Sequence, residues 1–75
     1  MNFADAAHQI LAEEGGPLSS SEIARRAIAK GLINPKSDSP STFVAAALRK
    51  DNRRRQQKDE EPRFLSEGNG VFRLK

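Results

Sequence analysis

Two short stretches near the end of the sequence, RFLSE and VFRLK, flank Gly68-Asn69-Gly70. An Asn-Gly pair set between apolar strand-like runs is a strong hairpin signal, because both residues accept the positive φ of the tight turn. Everything before this segment reads differently. Its apolar residues recur with a helical period, so the chain must combine helices with a terminal two-stranded ribbon.

Three helical segments are predicted. Asn2 can cap the first, whose Phe3, Ala6, Ala7, Ile10 and Leu11 fall on one face, and Gly15-Gly16 stops it. Pro17 and Leu18 can form a short extended piece. Ser19 and Glu22 then make an S-x-x-E capping box for a second helix with Ile23, Ala27 and Ile28 on its buried side. Gly31 stands where a left-handed residue would end that helix, with Leu32 able to fold back. The polar connection INPKSDSP leads to a third start, with Ser39 as cap and Pro40 as first helical residue. In the third helix Phe43, Val44, Ala47 and Leu48 share an apolar sector, and Thr42, Ala45, Ala46, Arg49 and Arg53 lie opposite. Helix, short strand, helix, helix and two-stranded hairpin is the order of a winged helix-turn-helix, an α+β fold that is mainly helical. We expect residues 1–75 to form a single domain of this kind, with Phe3, Phe43, Phe64, Phe72 and Leu74 in its core.

Charge is the second constraint. Residues 49–58 hold six cations (Arg49, Lys50, Arg53, Arg54, Arg55 and Lys58) against one acid, Asp51. That is a local +5 in a chain of net +3, so the positive charge is concentrated as an electrostatic footprint requires. A basic run at a helix end also complements the dipole and can pair with Asp51 or with Asp59-Glu60-Glu61. Those acids are too few to neutralise all six, which leaves Arg49 and Arg53 available for phosphate. Arg54 and Arg55 are expected to turn toward the core side.

Other chemistries find little support. There is no cysteine, hence no disulfide or thiolate site, and a small chain without staples fits the cytoplasm. No apolar run suits a membrane span, and MNFADAAHQI lacks the pattern of a signal peptide. His8 sits at the edge of an apolar face without a nucleophile partner, and the consecutive acids 59–61 suit a charged connection better than an acid–base pair. With no phosphate loop, metal-ligand cluster or dinucleotide fingerprint, no enzyme, cofactor or small-molecule substrate is expected. Without Tyr or Trp, a stacking surface for single strands is not expected either.

FADAAHQILAEEGGPLSSSEIARRAIAKGLI, the Ser39-Pro40 start, the spacing of Leu48 and Asp51 before the arginines, and the closing RFLSEGNGVFRL together resemble the HARE-type helix-turn-helix. The resemblance spans nearly the whole chain. It implies a DNA-binding winged helix of the kind found fused to restriction endonucleases and in chromatin proteins, proposed in some contexts to help sense modified bases. Asn52 departs from the pattern, since relatives usually carry an apolar residue there. The connection RRRQQKDEEP is also longer and more charged than usual. The fold is similar as well to the amino-terminal domain of the delta subunit of bacterial RNA polymerase, whose partner is a protein.

Two functions therefore remain in view. One is weakly sequence-specific binding of double-stranded DNA, targeting a restriction, modification-sensing or transcription-associated protein that carries a fused or associated effector. The other is docking of the same surface on a polymerase or chromatin protein. Expected DNA contacts are Lys36, Ser39, Ser41 and Thr42 around the third helix start, Arg49, Lys50 and Arg53 along it, and Asn69 and Arg73 on the wing.

Overall fold

A computed structural model describes residues 2–34 and 40–75. Helix α1 is Phe3–Glu14, strand β1 Leu18–Ser19, helix α2 Ser20–Ala29, helix α3 Pro40–Gln57, strand β2 Phe64–Gly68 and strand β3 Val71–Leu74. The strands form one antiparallel sheet in the order β1-β3-β2. This is a winged helix, with the two carboxy-terminal strands as its wing.

The helix ends follow from their capping residues. Asn2 Oδ1 accepts the Asp5 N–H at 2.7 Å, and Gly15, at φ 75°, returns its N–H to the Leu11 carbonyl at 2.9 Å. Ser19 Oγ accepts the Glu22 N–H at 3.1 Å. The Glu22 carboxylate does not complete the box, because Arg25 and Arg26 both engage it. At the other end of α2, Gly31 N–H reaches the Ile28 carbonyl and Leu32 N–H the Ala27 carbonyl, the paired bonds of a Schellman motif around a residue at φ 70°. The expected Ser39 cap, like Lys36, lies outside the described residues.

Ile10, Leu11, Ile23, Val44, Leu48, Phe64 and Phe72 are fully buried where the helices meet the sheet. Each contributes about 1.5–3 kcal/mol by leaving water. No polar or charged side chain is buried among the described residues.

Two expectations about α3 are corrected. Phe43 is not a core residue: it is 52% exposed and stacks on the half-buried Phe3, with ring centroids 6.4 Å apart and planes 21° from parallel. Ala45, expected to face outward, is half-buried against the core. Both have one cause. The buried sector is centred on Leu48, and at 100° per residue Phe43 falls about 140° from it while Ala45 falls about 60° away.

In the wing, Asn69 at φ 54° and Gly70 at φ 75° form the tight two-residue turn, and the ladder is irregular between Ser66 and Gly68. The Gly70 carbonyl also accepts the Ser20 N–H at 2.8 Å. That bond ties the wing tip to the start of α2.

Candidate nucleic-acid interface

Thr42, Ala46, Arg49 and Arg53 follow one another at spacings of four, three and four, which aligns them on one side of α3. All four are exposed, as is the adjacent Lys50. The side chain at the centre of this ridge is an alanine, so a ligand can approach the helix backbone closely. Ser41, by contrast, is half-buried beside Val44, so of the two described polar side chains in the first turn Thr42 is the more accessible. The first-turn N–H groups point along the positive end of the helix dipole.

The pairing of charges separates α3 from the rest of the surface. In α2, Arg25 and Arg26 pair with Glu22, Arg26 also with Glu14 at 2.7 Å, and Lys30 with Glu13 at 2.6 Å. On the wing Arg73 pairs with Glu67, and Lys75 with Glu61. In α3 Arg55 is held by Asp51 at 3.1 Å and Glu60 at 3.3 Å. Arg49, Lys50, Arg53, Arg54 and Lys58 are exposed, and none has an acid within ion-pair distance among the described residues. Unmatched positive charge is therefore gathered along the carboxy-terminal half of one helix.

Arg55 thus turns inward as expected, whereas Arg54 does not. Arg73 keeps about half its side chain exposed, but its guanidinium already neutralises a cross-strand carboxylate. Asn69 is exposed at the turn.

A network under the ridge fixes α3 against the wing. Asp51 accepts Arg63 Nε at 3.1 Å and Nη2 at 3.0 Å, and Arg55 Nε at 3.1 Å. Arg63 also reaches Asp5 of α1 at 3.3 Å and lies over the Phe64 ring at 5.4 Å. Burial pushes the Asp51 carboxyl up, yet the bonds from Arg63 and Arg55 outweigh it and hold the group below the ordinary carboxylate range. One turn of ladder is continued by Asn52, whose side-chain amide donates to the Phe64 carbonyl and accepts the Phe64 N–H.

This network was not anticipated from the sequence. The one available sign was an amide where relatives carry an apolar residue. His8 makes an edge contact with the Phe64 ring, centroids 6.4 Å apart. Among the described residues no cluster of His, Asp and Glu could hold a metal ion, and no helix is long and apolar enough to cross a membrane.

Three helices, a hairpin wing and a third helix with an exposed basic face define a winged helix-turn-helix domain of the DNA-binding type. The family model for HARE-HTH, the HTH domain of ASXL and restriction endonucleases, matches residues 1–75, the whole chain, and the chain belongs to that family. It is not a catalytic family. No curated protein and no solved structure matches.

Proposed function

We propose that the chain is a double-stranded DNA-binding module in which α3 meets the duplex and the wing lies along its backbone. Arg49, Lys50 and Arg53 contact phosphate. Thr42 and Ser41, with Lys36 and Ser39 from the preceding connection, engage the duplex near the start of α3, and Asn69 and Arg73 do so from the wing. The observation that carries this reading is the unmatched charge of α3. Every cation of α2 in the described structure has an acidic partner, and five of the six in residues 49–58 have none among the described residues. Because the ridge presents Thr42 and Ala46, and no Arg, Asn or Gln in its first two turns, base readout is weak. Binding is largely sequence-tolerant, with a dissociation constant on the order of 10⁻⁴–10⁻⁶ M at physiological salt. Such a module targets a restriction, modification-sensing or transcription-associated protein whose activity resides in a fused or associated effector. The cysteine-free composition supports a cytoplasmic setting.

The test is titration of a random-sequence duplex at several salt concentrations. Three phosphate contacts predict a slope of about −2.7 in log affinity against log salt. Absence of binding at low salt would sink the proposal and favour docking on a polymerase or chromatin protein.

A further inference from the structure

Phe43, Ala47, Lys50 and Arg54 repeat the spacing of the outward ridge but lie about 100° further round α3. This second ridge overlooks α1. A groove of about 160 Å³ opens between the two helices, lined by Phe3, Ala4, Ala47, Lys50, Asp51 and Arg54. Phe43 stacks on Phe3 beside it and is the one large hydrophobic side chain exposed among the described residues. The acid in the groove, Asp51, is already engaged by Arg55 and Arg63. Lys50 and Arg54, both exposed and without an acidic partner among the described residues, therefore set the sign of its rim.

A DNA backbone would satisfy those two cations but has no apolar group to cover an exposed pair of phenylalanines. A polypeptide with carboxylates on either side of an apolar residue matches both features. Aromatic side chains flanked by cations are also the composition that recurs at the energetic centres of protein interfaces. We propose that this groove docks an acidic peptide segment of a partner protein, its apolar side chain packing on Phe3 and Phe43 and its carboxylates pairing with Lys50 and Arg54. The site is distinct from the Thr42-Ala46-Arg49-Arg53 ridge and does not depend on DNA binding there. It gives the helix two working sides.

The experiment is an NMR titration of the isotope-labelled chain with a synthetic peptide carrying two leucines among glutamates. Saturable shifts should centre on Phe3, Ala47, Lys50 and Arg54. Phe43→Ser should weaken the peptide at least about tenfold, as expected of an anchor residue, while changing duplex affinity less than about twofold. Arg54→Glu should weaken it as well, and circular dichroism should show both variants folded, since each changes an exposed side chain. Peptides with leucine replaced by serine, or glutamate by glutamine, should lose binding. Three results would each overturn the proposal: no shift at millimolar peptide, equal binding by the serine peptide, or shifts confined to the Thr42 ridge. Sedimentation showing a dimer of the chain that Phe43→Ser dissolves would overturn it too, because a second copy would then be the occupant.

Discussion

The side-chain amide of Asn52 pairs with both backbone polar groups of Phe64, Nδ2 donating to the carbonyl at 2.8 Å and Oδ1 accepting the N–H at 3.2 Å. It does for the start of β2 what a neighbouring strand would do. Because β2 is an edge strand in the order β1-β3-β2, the helix here covers part of a sheet edge that no strand covers. Replacing Asn52 with Ala leaves both groups of Phe64 without that partner and should cost about 1–3 kcal/mol. Chemical denaturation measures the loss, and hydrogen exchange should show the Phe64 amide losing protection.

Arg53 and Arg55 are two residues apart and should behave oppositely. Arg53→Ala removes an exposed, unmatched charge. Duplex binding should weaken, the salt slope should fall by about one unit, and stability should stay within about 0.5 kcal/mol. Arg55→Ala breaks the pairs with Asp51 and Glu60, so stability should fall by up to about 1 kcal/mol while duplex binding changes little. A reversed pattern would mean that the basic face is structural.

Acid should destabilise the fold through identified carboxylates. Asp51 is held below its ordinary value, and Glu22, bonded by Arg25 and Arg26, is lowered from 4.5 to about 2. A carboxyl whose folded pKa is depressed stabilises the native state above its unfolded value and loses that contribution as pH falls toward the folded one. Stability is thus expected to be flat above about pH 5 and to decline from about pH 4.5 to about pH 2. Asp51→Asn should lower stability near neutrality and flatten the decline. Added salt should shrink the Glu22 part more than the Asp51 part, since the Glu22 pairs are more exposed. Thermal melts across this pH range at two ionic strengths decide the matter.

Asn69 combines a conformational role with a proposed contact, and the two can be separated. At φ 54° its backbone is left-handed, which glycine accepts at least as readily. Asn69→Gly should keep the hairpin and the Gly70–Ser20 bond while deleting the side chain. A loss of duplex affinity with an unchanged melting temperature would mark a wing contact. Asn69→Val should instead melt the turn, since β-branched residues resist positive φ.

Much of the fold was legible because its punctuation is local. Asn2, Ser19, Gly15, Gly31 and the Asn69-Gly70 turn each act within a few residues, and each sits where its chemistry predicts. The shared face of Thr42, Arg49 and Arg53 could likewise be read from spacing alone. Periodicity was less informative at the margin of the buried sector. It placed Phe43 in the core and Ala45 outside, since a helical wheel gives relative angles and only the packing of α1 and the sheet fixes where the buried centre falls. The Asn52–Phe64 and Asp51–Arg63 contacts could not be read at all. They join residues twelve apart across a turn at Asp59, a non-glycine residue at φ 57°.

Strand β3 occupies the middle of the sheet, its Phe72 opposite Leu18 on one side and Ser66 on the other. Leu18 and Phe72 are separated by two helices and a hairpin turn, so their pairing closes most of the sequence into one loop, and such closures are slow to form. The helices can nucleate from neighbouring residues, but neither the ladder to β1 nor the burial of Phe72 can precede the arrival of residues 71–74. Folding is therefore expected to finish at β3, as a clasp closing over helices already in contact. A chain cut before Val71 would lack the strand that both β1 and β2 require, leaving Phe64 and Ile10 to aggregate rather than pack.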